Sequence, residues 1–344
     1  MGPVVAVVPP TGQVHAASRD RGDRRVGGRA GALASLLGGL PGDLAATLFV
    51  VVHTAAHGPS VLSRILNRAG PLPADLARDG LAFEPGRVYA APPDLHLLLD
   101  DGRMLLRRGP RENLSRPAID PLFRSAAAEY DARVIGVLLS GMLYDGASGL
   151  RAIKRCGGIA VIQDPADALY PEMPRHALQG TDVDYCPRAA ELANLLVALV
   201  AEPAGRSAEV PEEIRLEARM AAQGGSGRQA DEQVERPLAL SCPDCGGALR
   251  EISDGELLRY RNHVGHAYDE HLLLSAQTEV VEQALWSALR AHDERAALLR
   301  RLAGQEPVDS SLAGRWAELA AEHEAHAQAV RSLLLNAGRP EFER

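Results

Sequence analysis

The sequence predicts an α/β fold in which a parallel sheet lies between two layers of helices, with a smaller region at the C-terminal end. Strand-like and helix-like segments alternate over residues 1–200, as they do in parallel α/β sheets. The strand-like segments are almost continuous runs of Val, Ile and Leu, which is typical of strands covered on both faces. Near residue 201 the composition changes to Pro, Gly, Ser and charged residues, which indicates the end of this first domain.

The elements of this three-layer α/β/α, Rossmann-like sheet can be assigned in chain order. The predicted strands are "VVAVV" (4–8), "ATLFVVVH" (46–53), "RVYAAP" (87–92), "RVIGVLL" (133–139) and "GIAVIQD" (158–164). Helical patterns occupy the segments between them, at 30–40, 59–70, 118–130 and 147–157. A hairpin is predicted over 95–109, because Asp-Asp-Gly separates two apolar runs.

Three further regions are predicted after the first domain. Residues 201–238 have the composition of a linker, with one brief helical patch. Residues 239–270 contain a Cys-Pro-Asp-Cys motif and form a degenerate zinc-ribbon-like unit. Residues 271–338 carry two amphipathic helical patterns around the segment "AGQEPVDSS", which predicts an antiparallel helical hairpin.

Composition and charge argue against several classes of protein. The net charge is −8 and no long basic run is present, so a general nucleic-acid binder is not expected. No stretch approaches 18 apolar residues and no signal peptide precedes the first strand, so we expect no membrane insertion. Two of the four cysteines form the Cys-Pro-Asp-Cys motif and the others are scattered, which indicates the reducing cytoplasm rather than a disulfide framework.

Two polar residues follow predicted strands, at the edge where parallel sheets collect their active sites. His53 ends the run "LFVVVH", and Asp145 lies in "LLSGMLYDGASG", just before a helix. Each also has an ordinary structural explanation, as a strand-end histidine and as a turn or N-cap aspartate. Together with a hydroxyl after the first strand, they would supply the parts of a Ser-His-Asp hydrolase.

Several segments resemble one family, in the family's order, over roughly residues 44–180. They are "LFVVVHTAAHGPSVLSRIL", "GRVYAAPPDLHLLL", "SRPAIDPLF" and "VIGVLLSGMLYDGASGLRAIKRCGGIAVIQDPADALYPEMPRHAL". They are similar to the protein-glutamate methylesterase domain of bacterial chemotaxis, the CheB type. The resemblance implies an esterase that hydrolyses glutamate methyl esters on chemoreceptor helices and in some members deamidates glutamine. Its partner would be a methyl-accepting receptor, and catalysis would need no cofactor.

The resemblance also implies roles for particular residues. The family histidine falls on His53 and the family aspartate on Asp145. Gly141, Met142 and Gly146 match the loop that shapes the acyl site, although Leu143 stands where the family usually has glycine. In this arrangement the histidine would transfer the nucleophile's proton to the leaving methanol, and the aspartate would orient the imidazole.

The family's nucleophile lies in a Gly-x-Ser-x-Gly-Gly turn, which does not occur in this chain. Alignment from the first strand puts Thr11 in the serine position, whereas alignment from the following helix puts Val26 there. Three explanations remain open. A one-base shift near Val26 hides the family turn in another reading frame, the protein has lost its nucleophile and is a binding or signalling module, or Thr11 or Ser18 replaces the serine. The nucleotide sequence tests the first explanation.

Two groups of residues in the C-terminal part have the character of metal ligands. Cys242 and Cys245 form half of a zinc knuckle, and "RYRNHVGHAY" supplies His263 and His266 at the expected distance. This region resembles an extension of stand-alone methylesterase-like proteins, in which a cysteine stands near Asn262, and it predicts a structural zinc. The motif "EHEAH" (322–326) has no evident carboxylate-rich partner helix, so we interpret it as a partly solvated helix face.

Overall fold

A six-stranded sheet lies at the centre of the first part of the chain. The computed structural model describes residues 3–8, 31–53, 61–141, 145–224, 237–254, 257–307 and 311–337. The sheet has the order β3-β4-β2-β1-β7-β8. Its strands are β1 (Pro3–Val8), β2 (Thr47–Val52), β3 (Ala74–Leu76), β4 (Val88–Ala90), β7 (Ile135–Leu138) and β8 (Ile159–Ile162), and the hairpin of β5 (His96–Asp100) and β6 (Arg103–Arg107) lies between β4 and β7 in the chain.

Helices cover both faces of this sheet, so the predicted three-layer α/β/α architecture is confirmed. One face packs against α1 (Ala32–Gly39), α2 (Leu62–Ala69) and α6 (Leu192–Ala201), and the other against α3 (Ile119–Tyr130), α4 (Ala147–Arg155) and α5 (Glu172–Gly180). Along β1 the side chains alternate between the two apolar cores, with Val5 and Val7 in one core and Ala6 and Val8 in the other.

The sheet is mixed, so the prediction of an all-parallel sheet is wrong for β1. This strand is antiparallel to both of its neighbours, β2 and β7. Pro3 pairs with Val52 and Val8 pairs with Thr47, so β1 begins at the edge where β2 ends. The remaining pairs, β2 with β4, β3 with β4 and β7 with β8, are parallel.

The described parts of residues 201–272 belong to the same compact unit as the first domain. Helix α7 (Glu212–Ala222) lies in the predicted linker and packs against α3, and its Ile214 joins one of the sheet's apolar cores. A four-stranded antiparallel sheet, which we call the ribbon, follows in the order β12-β11-β10-β9. Its strands are β9 (Pro237–Ser241), β10 (Ala248–Asp254), β11 (Leu257–Asn262) and β12 (Ala267–Asp269).

Two long helices, α8 (Glu270–Ala303) and α9 (Ser311–Ala337), account for most of the C-terminal part. They form the predicted antiparallel hairpin, because ion pairs join Arg300 to Glu324 and Asp293 to Arg331. The chain divides into two compact units, residues 1–272 and 273–344. Within the described ranges, the helices are all too short or too polar to cross a membrane.

Candidate active site and metal-ligand groups

His53 and Asp145 lie at the same edge of the six-stranded sheet, as the sequence predicted. His53 directly follows β2, and Asp145 lies between β7 and the start of α4. Because β1 is antiparallel to both strands, β2 and β7 run in the same direction and end at one edge. Nε2 of His53 lies 2.8 Å from Oδ2 of Asp145, and both residues are buried, at 5% and 0% exposure.

The hydrogen bond to Asp145 fixes the protonation pattern of the neutral His53 ring. An ionised carboxylate can only accept hydrogen bonds, so Nε2 carries the proton and Nδ1 carries the free lone pair. Nδ1 is buried and has no hydrogen-bond partner in the part of the chain that the structure describes. A buried basic nitrogen without a partner is the feature that a catalytic hydroxyl group would complete.

Three further donors surround the carboxylate of Asp145. The first two residues of α3 contribute backbone N–H groups, from Ile119 to Oδ2 at 2.6 Å and from Asp120 to Oδ1 at 3.3 Å. The side-chain amide of Asn113 donates to Oδ1 at 3.0 Å. Burial alone raises the pKa of Asp145, but the hydrogen bond and charge of His53, together with the Ile119 and Asn113 donors, hold that pKa below its ordinary value. The carboxylate is therefore ionised at neutral pH.

A second buried carboxyl group, Asp120, lies beside this pair. Its Oδ1 accepts a hydrogen bond of 2.7 Å from the backbone N–H of Gly149, and its Oδ2 accepts one of 3.0 Å from the Asn113 amide. Burial and the negative charge of Asp145 raise the pKa of Asp120 to about 7. The two neighbouring carboxyl groups thus differ in pKa, since Asp145 has the donors that stabilise an anion and Asp120 has fewer.

The loop between β7 and α4 contains the residues that the resemblance assigned to the acyl site. Gly146 has φ of 96°, and a Cβ there would lie 2.7 Å from Leu138 and 2.9 Å from Ile119, so the position requires glycine. The N–H of Gly141 donates to the carbonyl of Tyr170 at 2.9 Å. Met142 and Leu143 lie outside the described residues.

The expected nucleophile positions Thr11, Ser18 and Val26 also lie outside the described residues. In the parallel sheet predicted from the sequence, the first strand is expected to end at the edge that carries His53 and Asp145. That expectation is wrong for the described strand, because Val8 pairs with Thr47 at the opposite edge. Antiparallel pairing reverses which end of a strand reaches the active edge.

Asn113 and Asp120 were not predicted as site residues. Asp120 lies in "SRPAID", a segment that carried the family resemblance, and its position at the start of a helix is the one available signal. Asn113 lies in an irregular loop and has φ of 50°, with no periodic pattern around it. Both residues are buried, so their role depends on the tertiary contacts described above.

The ribbon brings together three of the four predicted zinc ligands. The ligand atoms of Cys242, Cys245 and His266 all lie within 4.8 Å of one another. This donor set, two sulfurs and one imidazole nitrogen, fits zinc. His263 is exposed and is not one of these mutually close ligands; its ring lies beside Gly247 at the turn.

The fourth corner of this group is taken by the carboxamide of Asn262. Its Nδ2 lies 2.9 Å from Sγ of Cys245 and 3.2 Å from Nδ1 of His266. Its Oδ1 accepts hydrogen bonds from the backbone N–H groups of Val264, Gly265 and His266. The amide therefore holds the turn at the place where the similar extensions have a cysteine.

A second group of potential ligands lies on the helical hairpin. His323 and His326, from the "EHEAH" motif of α9, meet His292 of α8, with all three ligand atoms within 4.8 Å of one another. No partner opposite this motif was predicted, because the sequence shows no carboxylate-rich helix that could face it. The facing residue is a histidine 31 positions earlier in the chain, which the motif itself does not indicate.

Comparisons with known proteins find relatives of the α/β part of the chain. The CheB methylesterase family model matches residues 26–196. A Leptospira interrogans protein, provisionally named protein-glutamate methylesterase/protein-glutamine glutaminase, is 38% identical over 169 residues, 49% of this chain and 88% of the relative. Protein-glutamate methylesterase/protein-glutamine glutaminase 3 of Anaeromyxobacter dehalogenans is 43% identical over 169 residues, 48% of this chain and 46% of the relative, so this chain spans about half of its length.

Among solved structures, the crystal structure of the Thermotoga maritima CheB methylesterase catalytic domain is 29% identical and has a TM-score of 0.46. The match covers 49% of the present chain and 91% of the Thermotoga chain. The sequence match to the Leptospira protein extends over most of that relative, and the family model covers the segment from Val26 to the end of the α/β region. On these matches the chain belongs to the CheB methylesterase family.

Proposed function

We propose that this protein hydrolyses glutamate methyl esters on the helices of a methyl-accepting chemotaxis receptor. The observation that carries the proposal is the buried His53–Asp145 pair, in which Nδ1 of His53 has no partner among the described residues. The names of the relatives add glutamine deamidation as a related activity. We expect the reaction in the cytoplasm, on the basis of the cysteine usage.

The proposed reaction follows the logic of a Ser-His-Asp hydrolase. A hydroxyl oxygen bonds to the ester carbonyl carbon while its proton moves to Nδ1 of His53. The bond from that carbon to the methoxy oxygen then breaks, and the same proton leaves with methanol. Water next attacks the acyl intermediate, again giving a proton to His53, and releases the glutamate carboxylate and the free hydroxyl. Asp145 holds the ring and stabilises its charged form.

The hydroxyl group in this proposal comes from the chain before Val26. The family match begins at Val26, so the preceding residues carry no family signature in this chain. Val8 lies at the edge opposite His53, and the three residues from Val8 to Thr11 span at most about 10 Å, which is too short to return along β2. Ser18 is therefore the candidate in the sequence as written, and a shifted reading frame is the other source. The neighbouring residues Gly141, Met142 and Gly146 would shape the acyl site.

A second candidate function is a non-catalytic receptor-binding module on the same fold. The observation that favours it is the absence of a Gly-x-Ser-x-Gly-Gly turn anywhere in the chain. In that case the protein would bind methylated receptor without releasing methanol. The two candidates therefore differ in one measurable product.

The deciding experiment uses a receptor that carries radiolabelled methyl esters and measures the methanol released by the full chain. His53→Ala should lower the rate by about 10²–10⁴-fold, which is the usual contribution of a general base. His271→Ala is the matched control, because this partly exposed histidine lies outside the proposed site, and it should leave the rate unchanged. Equal methanol release by the parent chain and His53→Ala, at the uncatalysed rate, would establish the binding module instead.

A second experiment identifies the nucleophile. A fluorophosphonate probe reacts with activated hydroxyl groups, and peptide mapping then reports the residue that carries it. We expect the label on Ser18, with loss of labelling in His53→Ala because the hydroxyl is no longer activated. Sequencing of the gene around the codon of Val26 tests the remaining source, since a frameshift requires Ser-x-Gly-Gly in another frame.

We also propose that the ribbon binds a structural zinc through Cys242, Cys245 and His266. The support is the closeness of two sulfurs and one nitrogen, which are the ligand types that zinc prefers. The bound metal would fix the two turns of the ribbon to each other. Metal analysis of the purified protein, with Cys242→Ala for comparison, tests this assignment, and a metal-free parent protein in zinc-supplemented medium would exclude it.

A further inference from the structure

Three histidines from the two helices of the C-terminal hairpin converge on one point. Nδ1 of His292 on α8 lies 2.8 Å from Nδ1 of His323 on α9. The ring centre of His292 is 5.0 Å from that of His323 and 5.2 Å from that of His326. One ring nitrogen from each histidine lies within 4.8 Å of the other two. This is a nitrogen-only cluster, separate in sequence from the ribbon ligands.

The helical framework around the cluster holds these positions in register. His323 and His326 are three residues apart on α9, so they lie on the same face of that helix. The guanidinium of Arg300 forms two hydrogen bonds of 2.5 Å with Glu324, and Arg331 pairs with Asp293 at 3.2 Å. Both cross-links involve α8 residues that follow His292, Asp293 directly after it and Arg300 about two turns further on. The cluster is therefore presented by two paired helices rather than by a loop.

We propose that His292, His323 and His326 bind a divalent transition-metal ion, with Zn²⁺ as the physiological candidate. Imidazole nitrogen is a preferred ligand of Zn²⁺, Cu²⁺ and Ni²⁺ and a poor one for Mg²⁺ and Ca²⁺. Three ligands at the usual zinc–nitrogen distance of about 2.1 Å place their nitrogens about 3.4 Å apart in a tetrahedron. The 2.8 Å pair needs to open by about 0.6 Å, and the third nitrogen, which lies within 4.8 Å of the other two, needs to approach by about 1.4 Å at most.

The site would hold its metal differently from the ribbon group. Three protein nitrogens leave a fourth position for water or another small ligand, whereas two sulfurs and a nitrogen of the ribbon form a thiolate-rich site. The bound ion would join α8 to α9 and add to the ion pairs between them. Metal occupancy would accordingly stabilise the hairpin, since a ligand that binds only the folded state raises its stability.

The test is a Zn²⁺ titration of the full chain after removal of metal, in a Cys242→Ser background that weakens the ribbon group. We expect one zinc ion per chain, and a rise in the melting temperature of the hairpin. Adding His323→Ala to that background should weaken zinc binding at least about tenfold, since even outer partners of metal ligands matter at that level. His271→Ala in the same background is the matched control and should bind zinc as before.

Two further measurements keep the outcome clear. Co²⁺ bound to nitrogen alone lacks the intense charge-transfer absorption of a Co²⁺–thiolate site, so the spectrum identifies the donors. His326→Ala removes an exposed ring, and circular dichroism of this variant without metal should match that of the parent. The proposal is overturned if the Cys242→Ser protein binds no zinc, or if its zinc affinity is the same with and without His323 and His326.

Discussion

The side-chain amide of Asn113 donates a hydrogen bond of 3.0 Å to Oδ1 of Asp145. The same residue donates its backbone N–H to the carbonyl of Ala267, the first residue of β12, at 2.9 Å. Its neighbour Glu112 forms a buried ion pair with Arg261 of β11. The loop that supports the Asp145 carboxylate is therefore held by the ribbon, so the ribbon contributes to the geometry of the His53–Asp145 pair.

Replacing Asn113 by glycine should weaken the site without straining the backbone, because glycine tolerates the positive φ at this position. The two buried carboxyl groups each lose a donor, which should cost about 1–3 kcal/mol of unfolding free energy. The pKa of Asp145 should rise, and the acid limb of kcat/KM, which reports the coupled His53–Asp145 pair, should move to higher pH. Urea denaturation and a pH–rate profile measure the two effects.

Asn67→Ala provides the control for that change. Asn67 forms hydrogen bonds with the backbone of Ala74 at the start of β3 and has no contact with the catalytic pair among those described. This variant should lose stability but keep the acid limb where it is. An unmoved acid limb in Asn113→Gly would mean that the amide is structural only.

The sequence predicts the His53–Asp145 pair because the ends of like-directed strands gather polar residues at one edge, and both residues follow apolar runs. The direction of β1 could not be predicted, since a short run of small apolar residues packs equally well as a parallel or an antiparallel strand in a sheet covered on both faces. Asn113 and His292 were missed for a related reason. Their partners are distant in the chain, and no local period marks either residue.

Asp120→Asn should change how stability depends on pH. The pKa of Asp120 is raised to about 7 in the folded protein, first by burial and then by the charge of Asp145. The folded state therefore binds this proton more tightly than the unfolded chain. The resulting stabilisation is complete below about pH 4 and is lost as the pH rises to about 7, with a slope of up to about 1.4 kcal/mol per pH unit.

The asparagine variant lacks this proton, so its unfolding free energy should fall less steeply between about pH 4 and 7. Asp269 continues to contribute, because burial also raises its pKa to about 7. Asp75→Asn, at an exposed carboxylate paired with Arg87, should leave the slope unchanged. Urea denaturation across this pH range measures the slopes, and identical slopes for Asp120→Asn and the parent would contradict the assignment.

Glu217 connects α7 to three arginines, and its removal should be costly. Its Oε2 lies 3.1 Å from Nε of Arg124 and from Nη2 of Arg259, and 3.7 Å from Nη1 of Arg261. Glu217→Ala leaves buried guanidinium groups with too little opposite charge, which should lower the unfolding free energy by about 3–5 kcal/mol. Helix α7, predicted as part of a linker, would then lose its hold on α3 and β11.

Glu212→Ala, on the same helix, is the matched control for Glu217→Ala. Glu212 is exposed and, within the described part of the chain, forms an ion pair with Arg219 alone, so the change should cost less than about 1 kcal/mol. Limited proteolysis between residues 200 and 236 provides a second measurement. Faster cleavage in Glu217→Ala than in Glu212→Ala is expected, and equal rates would show that the buried ion pairs do not anchor the helix.

Asn262→Cys should raise the zinc affinity of the ribbon. The Asn262 amide nitrogen already lies within 2.9 Å of Cys245 Sγ and 3.2 Å of His266 Nδ1, at the corner that a fourth ligand needs. A thiolate there completes a site of three sulfurs and one nitrogen, and its sulfur can still accept from the backbone N–H groups of the turn. We expect affinity to rise at least about tenfold, with one more proton released on binding.

This measurement belongs in a His323→Ala background, so that zinc held by the hairpin does not contribute. Competition with a chelator of known affinity gives the zinc affinity, and the Co²⁺–thiolate absorption should grow in proportion to the added sulfur. Asn262→Ala is the control, because it removes the amide without supplying a ligand and should not bind zinc more tightly than the parent. If Asn262→Cys binds zinc no better than Asn262→Ala, the fourth corner of the ribbon group is not a ligand position, and zinc would have to be held by Cys242, Cys245 and His266 alone.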